Sequence, residues 1–561
     1  MLVLNADADQ LDQDKYRGVG ETFEESRERV AHAISDGEDH YRILREIFLD
    51  GRFLPGGRIM AGMGSIKSVT PYNCYVSGTI YDNFVDKGGI MDRATEAVQT
   101  MRMGGGIGYD FSPLRPRGNL IKSLQSRASG PVSFMGIYDA ACHSIQSAGH
   151  RRGAQMGVLR IDHPDILEFV HAKGESGKLT TFNISVAITD EFMDAVINKR
   201  DFKLRFGGKV YSKVDARKLW DMIMRVNYDW SEPGVIFIDR VNEYNNLYYC
   251  EKITATNPCG EQPLPPYGAC LLGSFNLTRY VKAGEDNKFH FDYETFTKDI
   301  PPVIRGMDNI VDRASYPLPA QEEEAKSKRR MGIGVTGLAN TLEALGAPYG
   351  SQEFIQLEET ILALLGFMAY TTSIQLAKEK GAFPLFDKEK YVQSKFISER
   401  YPVLQDQIYN NGIRNSHLLS IAPTGTISLV ANNVSSGIEP TVSHSYNRTI
   451  QKFDGPVTVN IYDYGFKYFN VKGKTIKDVS AKEHIDVLCA AQKHVDSAVS
   501  KTCNVPQNIK WDEFEQVYLD AYNGGAKGCT TAREGNKRCG IFQTDDAQCY
   551  VDPLTGRKEC V

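Results

Sequence analysis

Short strand-like runs alternate with helical stretches along most of this chain of 561 residues. Residues 1–50, 188–225 and 353–380 carry apolar side chains at three- and four-residue intervals, which predicts helices. MGVLRI (156–161) and VIFI (235–238) are typical of buried strands. Alternation on this scale predicts an α/β protein built around one large barrel or sheet.

Composition narrows the classes of function. Charged residues make up 24% of the chain and the net charge is −5, which argues against a nucleic-acid-binding surface. No apolar run is expected to span a membrane, and the N-terminus lacks the basic-then-apolar pattern of an export signal. We therefore expect a cytoplasmic protein without membrane or nucleic-acid partners, whose eleven cysteines are mostly thiols.

The segment NPCGEQPLPPYGAC (257–270) joins reactive side chains to residues that stiffen a loop. Cys259 lies between a proline and a glycine, so we expect a tight loop that exposes its sulfur. Glu261 is a candidate general base for the same ligand, and Asn257 offers both a donor and an acceptor. The alternative interpretation is a zinc knuckle or a buried structural thiol.

Two further cysteines are candidates for the same site. Cys74 lies in the strand-like TPYNCYVSG, and Cys270 closes the segment just described. If both lie near Cys259, the three would combine a radical or nucleophilic thiol with a dithiol that supplies two electrons. Both are equally compatible with small core residues, and the sequence leaves the two interpretations open.

A second motif, APTGTIS (422–428), follows an apolar run and offers hydroxyl and backbone N–H groups at a turn, as anion sites do. Three consecutive glycines elsewhere would let the backbone approach another surface closely, but they do not form a GxGxxG motif. The candidate phosphate ligands are Pro423, Thr424, Gly425, Thr426, Ile427 and Ser428, and the glycines, candidates for a substrate loop, are Gly104, Gly105 and Gly106.

The remaining cysteines and histidines give no metal motif. His150 and His163 fit no defensible spacing of metal ligands, so we predict no metal site. The C-terminal cysteines are spaced by ten, ten and eleven residues, unlike the close pairs of zinc ribbons. A flexible tail with a thiol pair that carries electrons is favoured over zinc. These cysteines are Cys529, Cys539, Cys549 and Cys560.

Together these pieces resemble the catalytic subunit of ribonucleotide reductases. The matching text runs from FLPGGRIM (53–60) to KGCTTAR (527–533), and NPCGEQPL is its most specific piece. The supporting pieces follow in the order of the family: SGPVSFM (129–135), RRGAQMGVLRIDHPDILEF (151–169), RRMGIGVTGLAN (329–340), APTGTIS, SSGIEP (435–440) and SKTCNVP (500–506).

The resemblance implies a ten-stranded α/β barrel with a central finger loop. It divides the chain into a helical N-terminal region (1–52), the barrel (53–530) and a flexible redox-active tail (531–561). We expect no N-terminal ATP-cone domain, because only 73 residues precede Cys74.

The resemblance also implies a reaction and a role for each candidate residue. Cys259 would form a thiyl radical that abstracts the ribose 3′-hydrogen, Glu261 would take the 3′-hydroxyl proton, and Asn257 would bind the hydroxyls. Cys74 and Cys270 would help to expel the 2′-hydroxyl as water and end as a disulfide. The substrate would be a ribonucleoside diphosphate or triphosphate, with the diphosphate favoured.

The radical source implied by the resemblance is adenosylcobalamin. Cys259 and Cys270 are eleven residues apart, as in the cobalamin-dependent class, and Thr530 and Thr531 stand where the oxygen-dependent class carries a tyrosine pair. The alternative is the same reaction with a radical from a ferritin-like partner subunit. A third hypothesis, from another class of function, is a non-enzymatic zinc- or redox-binding protein.

Regulation and partners follow from the resemblance as well. A dNTP or ATP effector would bind a specificity site at the interface of a homodimer, with Asp82 contacting the effector and Lys173 in the loop that senses the substrate. The tail pair Cys549 and Cys560 would re-reduce the Cys74–Cys270 disulfide, with a thioredoxin- or glutaredoxin-type protein as the external reductant.

Overall fold

The computed structural model describes residues 1–537 except 123, 148–150, 175–176, 286–287 and 453–454, and in addition residues 550–551 and 558–559. The predicted tail cysteines Cys539, Cys549 and Cys560 lie outside the described residues.

Two β-sheets and a short hairpin form the centre of the molecule. Their strands, in chain order, are β1 (Phe53–Pro55), β2 (Cys74–Val76), β3 (Gly106–Asp110), β4 (Gln155–Arg160), β5 (Phe182–Ile188), β6 (Gly234–Phe237), β7 (Ala255–Thr256), β8 (Pro263–Leu264), β9 (Ala269–Cys270), β10 (Leu272–Asn276), β11 (Gly332–Thr336), β12 (Thr502–Val505) and β13 (Gly528–Arg533).

The larger sheet has eight strands in the order β9-β2-β3-β4-β5-β6-β13-β12. The run from β2 to β6 is parallel, whereas β9 pairs antiparallel with β2, and β13 pairs antiparallel with β6. The smaller sheet has the order β1-β10-β11. The hairpin consists of β7 and β8.

The two sheets are joined on both sides. On one side only Leu271 separates β9 of the larger sheet from β10 of the smaller one. On the other side, parallel bridges run from Ile333 to Leu419 and from Ile421 to Val499, which leads into β12. The strands therefore surround a common interior.

Helices pack around the strands. They are α1 (Ala6–Lys15), α2 (Phe23–Ile34), α3 (Glu38–Leu49), α4 (Gly57–Gly62), α5 (Ile90–Arg102), α6 (Pro131–His143), α7 (Asp190–Ile197), α8 (Ala216–Trp230), α9 (Tyr293–Arg313), α10 (Pro319–Lys328), α11 (Gln352–Lys380), α12 (Gly425–Val430), α13 (Ala481–Gln492) and α14 (Trp511–Asn523). Shorter helices span Ile166–Val170, Ile238–Glu243, Leu338–Ala344, Lys388–Tyr391, Lys395–Arg400 and Gln405–Asn411.

Small β-hairpins project from this framework. They pair Leu120–Ile121 with Ser126–Arg127, Gln146–Ser147 with Arg151–Arg152, Asp201–Phe206 with Lys209–Asp215, Val281–Ala283 with Phe289–Phe291, Ser445–Lys452 with Gly455–Tyr462, and Tyr550–Val551 with Lys558–Glu559.

The helix prediction for residues 188–225 was wrong in its middle. Helices α7 and α8 occupy the two ends, but the hairpin of residues 201–215 separates them. Its strands turn at Gly207 and Gly208, whose φ angles of 55° and 77° suit a two-residue hairpin turn. The glycine pair was the signal for this turn, and it outweighs the helical spacing around it.

Helix α11 corrects the expectation that no segment is apolar enough to cross a membrane. Among the described residues it is the one helix that meets that criterion by length and composition. Its apolar residues, including Phe354, Ile361 and Leu365, belong to the largest core cluster. A core helix of this kind passes the same test, and burial in the core explains the composition of α11.

An inner cluster places the hairpin inside the ring of strands. Ala255 and Leu264 of the hairpin pack with residues that point inward from both sheets. The cluster consists of Cys74, Val76, Met156, Val158, Ala187, Ile236, Ile238, Val241, Ile253, Ala255, Leu264, Leu272 and Ala422. The loop at the tip of the hairpin, residues 257–262, is therefore held within the interior.

Candidate active site

The tip of the central hairpin is a tight loop closed by its own hydrogen bonds. The backbone N–H of Asn257 donates to the carbonyl oxygen of Gln262 (3.1 Å), and the N–H of Gln262 donates to Asn257 Oδ1 (3.0 Å). Gly260, with φ at 81°, provides the left-handed residue in between. Cys259 is exposed at the tip, as the sequence predicted, whereas Asn257 and Glu261 are buried.

The surrounding strands grip this loop. The side chain of Asn183, on β5, donates to the carbonyl oxygen of Pro258 (2.9 Å). The carbonyl oxygen of Glu261 accepts hydrogen bonds from the N–H of Ala498 (2.9 Å) and the hydroxyl of Ser420 (3.0 Å). The residues on both sides of Cys259 are thus fixed to different parts of the fold.

A buried lysine supports the segment that holds Glu261. The Lys527 ammonium donates to the carbonyl oxygens of Asp496 (2.6 Å) and Ser497 (2.7 Å). Burial lowers the pKa of Lys527 to about 8, and raises the pKa of the Asp496 carboxyl group. Asp496 in turn accepts the backbone N–H groups of Leu418 and Leu419. This network ties together the two segments that bond to the Glu261 carbonyl.

Gly108 permits the closest approach between the hairpin and the sheet. A Cβ atom at this position of β3 would overlap the carbonyl oxygen of Thr256. We expect Gly108→Ala to lower the free energy of unfolding by about 3 kcal/mol, because neither backbone can retreat. Turnover should fall by about 10²-fold, since a shift near 1 Å at reacting groups has that effect. Thermal unfolding and an activity assay check both expectations.

Gly136 offers a matched control for that substitution. It lies in the exposed part of α6, and a Cβ atom there would meet no other atom within 4 Å. Gly136→Ala should therefore raise the free energy of unfolding by about 0.5–1 kcal/mol. A Gly108→Ala protein as stable and as active as Gly136→Ala would show that the hairpin is not fixed at this contact.

One cavity of about 250 Å³ brings the predicted residues together. Cys259 and Glu261 line it, and Cys74 of β2 faces them from the sheet. The turn from Pro423 to Ile427 forms another part of the wall. Two motifs that are more than 150 residues apart in sequence therefore serve a single site.

The backbone register pairs Cys74 with Cys270. The two residues lie directly opposite each other in the antiparallel pair of β2 and β9. Such pairs have Cα atoms about 4.5–5.5 Å apart, within the range of roughly 4.4–6.8 Å that a disulfide needs. The pairing that the sequence left open is thus sterically possible.

The APTGTIS turn is braced from behind. Thr424 is buried, and its backbone φ is 53°. Its hydroxyl accepts the N–H of Gly437 (2.7 Å) and lies 2.9 Å from the hydroxyl of Thr336. Gly425 and Thr426 are exposed at the start of α12, with open space beside Gly425. Ser428, also predicted as a ligand, is buried and donates to the Gly425 carbonyl (3.1 Å).

The three consecutive glycines prove to be packing positions around the cavity. A Cβ atom on Gly104 would lie 2.6 Å from Nη1 of Arg58, and one on Gly105 would lie 2.8 Å from the ring of Tyr75. A Cβ atom on Gly106 would lie 3.2 Å from Pro258 Cγ and 3.4 Å from Cys74 Sγ. Gly106 therefore gives room to the hairpin itself.

Asn257 and the two effector candidates have protein partners. Asn257 supports the loop through Oδ1 and is not among the residues that line the cavity. Asp82 accepts a hydrogen bond from Arg115 Nε (2.6 Å). The ammonium of Lys173, nearly buried, pairs with Glu232 (2.6 Å). Effector binding by Asp82 and Lys173 stays a prediction.

The structure assigns Cys529 to the core. Its side chain is buried on β13 in the cluster that also contains Cys489 and Cys503. Burial raises the pKa of the Cys529 thiol well above its usual range. An electron-carrying role for this cysteine, which the sequence left open, does not suit such a position.

The sequence did not reveal that residues among the first 72 line the cavity. Lys15 and Tyr16 at the end of α1, Arg58 on α4, and Lys67 all line it. Each of these residue types is common on protein surfaces, so only the PGG turn before Arg58 (55–57) hinted at a close approach.

A ring of strands thus encloses a hairpin with an exposed cysteine, and Cys74 lines the same cavity as Cys259 and Glu261. The family model described as "Ribonucleotide reductase, barrel domain" matches residues 73–463 and 465–532. The chain therefore belongs to the ribonucleotide reductase family.

Individual relatives agree with this assignment. A vitamin B12-dependent ribonucleoside-diphosphate reductase of Mycobacterium tuberculosis is 33% identical and covers 92% of this chain and 76% of its own length. One of the same name from Thermoplasma acidophilum is 30% identical, over 94% of this chain and 69% of its own. A ribonucleoside-diphosphate reductase subunit alpha of Mycoplasma pneumoniae is 22% identical, over 87% and 76%.

Proposed function

We propose that the chain reduces ribonucleoside diphosphates to 2′-deoxyribonucleotides by thiyl-radical chemistry, with adenosylcobalamin as the radical source. The observation that carries the proposal is the single cavity in which exposed Cys259 meets Glu261 and Cys74. The names of the closely similar relatives supply the substrate class and the vitamin B12 dependence.

The chemistry assigns one task to each group. The Cys259 thiyl radical takes the 3′-hydrogen atom of the ribose, and Glu261 takes the 3′-hydroxyl proton. The 2′-hydroxyl then leaves as water, and Cys74 and Cys270 together give two electrons and two protons as they become a disulfide. The 3′-hydrogen finally returns to the sugar, which restores Cys259 for the next turnover. The fixed hairpin tip limits the radical to one geometry.

The phosphates belong on the turn from Pro423 to Ser428. Exposed Gly425 and Thr426 begin α12, where N–H groups without helical partners point outward. Asn257 acts from behind the loop, because its Oδ1 holds the backbone of Gln262. We therefore propose that Asn257 positions Cys259 and Glu261, in addition to the hydroxyl binding that the family resemblance implies.

We propose a second cavity as the site of adenosylcobalamin. This groove of about 1240 Å³ is lined in part by residues 530–533 of β13, and it exceeds what an ordinary small ligand needs. A Cβ atom on Gly234 of β6 would lie 3.1 Å from Thr530 Oγ1 and 3.0 Å from Ser185 Oγ. The side chains of Thr530 and Ser185 therefore lie on the same face of the larger sheet, the face toward the interior. Asn183, which binds the Pro258 carbonyl, shares that face of β5.

The inner face thus carries Thr530, which lines the groove, and Asn183, which contacts the cysteine loop. Residues 530–533 would hold the cofactor. When bound, adenosylcobalamin supplies the radical that takes the hydrogen atom from the Cys259 thiol.

Two alternatives remain distinguishable. A partner-derived radical would need redox-active tyrosines near β13, where Tyr518 is bonded to Thr531 and Tyr522 donates to Asp190. If the radical comes from adenosylcobalamin instead, Tyr518→Phe and Tyr522→Phe should leave turnover unchanged without any partner. The zinc hypothesis has no cluster of three or more metal-ligating side chains in the described part of the chain. The shared cavity of Cys259, Glu261 and Cys74 favours an enzyme over a binding protein.

The remaining proposals concern organisation and partners. We propose a ten-stranded barrel over residues 53–530, preceded by the helical region 1–52 and followed by a redox tail, 531–561. The connections between the two sheets on both sides support a closed barrel. We further propose a cytoplasmic homodimer with dNTP or ATP effectors, re-reduced through Cys549 and Cys560 by a thioredoxin- or glutaredoxin-type protein.

A single-turnover experiment tests the assignment of the dithiols. Pre-reduced protein given CDP and adenosylcobalamin, without external reductant, should form up to two dCDP per chain, one for each dithiol. Cys74→Ser should form none, and a protein without the tail pair should form one. Cys250→Ser, an exposed cysteine outside the cavity, is the matched control and should behave as wild type. An undiminished yield from Cys74→Ser would contradict the proposed dithiol.

A further inference from the structure

Three cations from the first 72 residues line the cavity that contains Cys259. They are Lys15, Arg58 and Lys67, and all precede residue 73, where the match to the barrel-domain family begins. Lys15 and Lys67 are exposed and Arg58 is half-buried. Against these three cations the cavity wall has two carboxylates, Asp14 and Glu261, so its formal charge is +1. An anionic ligand is therefore favoured at this wall.

Helix α1, which carries Lys15, is fixed to the phosphate turn. The N–H of Asn5 donates to Asn432 Oδ1 (2.9 Å), and Asn432 Nδ2 donates back to the carbonyl of Val3 (2.9 Å). Asn432 lies two residues beyond α12, the helix that begins at the APTGTIS turn. These bonds fix the start of α1 to the segment that follows α12.

Tyr16 locks the end of α1 in place. Its buried ring packs with Ile427 of α12 and with Leu54 and Met60. The absence of a side chain on Gly57 makes room for that ring, since a Cβ atom there would lie 2.7 Å from Tyr16 Cε1. Lys15, the preceding residue, is consequently held beside the turn by a packed neighbour.

Arg58 and Lys67 are placed by backbone contacts. The guanidinium of Arg58 lies against Gly104, whose φ of 94° and missing side chain open the space for it. Lys67 donates to the carbonyl oxygen of Arg17 (3.1 Å), just beyond α1. The three cations therefore come from three segments that line the same cavity as Cys259 and Glu261.

We propose that Lys15, with Arg58 and Lys67, binds the terminal phosphate of the nucleotide and thereby makes the first 72 residues a determinant of phosphate-chain length. This inference rests on the proposed function, because it assumes a nucleotide in the cavity. The backbone N–H groups of the turn hold one phosphate, and the cationic wall adds charged donors for the next one. Recognition by charge at the outer phosphate leaves the ribose free to meet Cys259.

Equilibrium binding of CDP, CMP and cytidine to Lys15→Met protein tests the proposal without requiring turnover. A lost charged hydrogen bond should weaken CDP binding by about 10- to 100-fold. Binding of cytidine should be unchanged, and binding of CMP should change far less than that of CDP. Lys15→Arg should restore most of the CDP affinity, and Arg58→Gln should repeat the pattern of Lys15→Met.

The control is Lys298→Met, which removes the same charge from an exposed lysine outside the cavity. Unchanged CDP affinity in Lys15→Met would overturn the inference, and so would equal weakening of all three ligands, which would signal displacement of α1. If the variants show this pattern of CDP, CMP and cytidine affinities but the wild-type protein never forms dCDP, the proposed function fails and the phosphate-binding role of the three cations stands. If turnover is normal and the pattern is absent, the proposed function stands and the phosphate-binding role of the three cations fails.

Discussion

Cys259→Ser protein should bind CDP normally and form no dCDP. The expected loss of turnover is about 10⁴-fold or more, equivalent to at least about 5.5 kcal/mol of activation free energy. The reason is chemical, because the serine O–H bond is too strong to yield the radical that a thiol yields. Cys259 is exposed at the hairpin tip, so the free energy of unfolding should change by no more than about 0.5 kcal/mol.

Three measurements on that variant separate chemistry from folding. Thermal unfolding and CDP affinity should match wild type, while dCDP formation should be undetectable. Cys250→Ser serves as the control, since Cys250 is likewise exposed but lies outside the cavity. Residual turnover of Cys259→Ser within 100-fold of wild type would end the thiyl interpretation.

Glu261→Gln should lower kcat by about 10²–10⁴-fold with little change in the affinity for CDP. Glutamine preserves the shape of the side chain and cannot accept the 3′-hydroxyl proton, so the loss measures general-base catalysis. Glu261 is 1% exposed in a hairpin that is bonded on both sides, and the substitution removes no backbone contact.

Glu358→Gln is the matched control for that experiment. Glu358 is fully buried in α11 and does not line the cavity, and burial raises its pKa well above the usual range. Because burial disfavours the charged form of Glu358, glutamine should preserve both stability and turnover. A Glu261→Gln enzyme as active as the Glu358→Gln control would remove Glu261 from the mechanism.

The parts of the site that local chemistry determines were predictable from sequence. A cysteine between proline and glycine has few conformations open to it, and the prediction of an exposed Cys259 is confirmed. The strands predicted at 156–161 and 235–238 are confirmed within one residue as β4 and β6. The hairpin of residues 201–215 replaces the predicted helix because the turn at Gly207 and Gly208 overrides the helical spacing of the apolar residues around it.

Long-range contacts were beyond sequence reasoning. Nothing in the local text of Cys74 and Cys270 shows that β2 and β9 pair at these residues. A close backbone approach at Gly108 is predictable from the missing side chain, but the sequence does not show that Thr256 is the partner. Lys15 lies on a polar helix whose place beside the phosphate turn depends on Asn432, far along the chain. Such contacts arise from tertiary packing, which single-sequence patterns do not encode.

The most direct test of the whole account is reduction of CDP by the purified chain with dithiothreitol, with and without adenosylcobalamin. The account predicts dCDP formation only when adenosylcobalamin is present, and without any added protein. Turnover in its absence, or turnover that appears only with a ferritin-like partner, would contradict the proposed radical source. No dCDP under any of these conditions would contradict the proposed reaction on CDP.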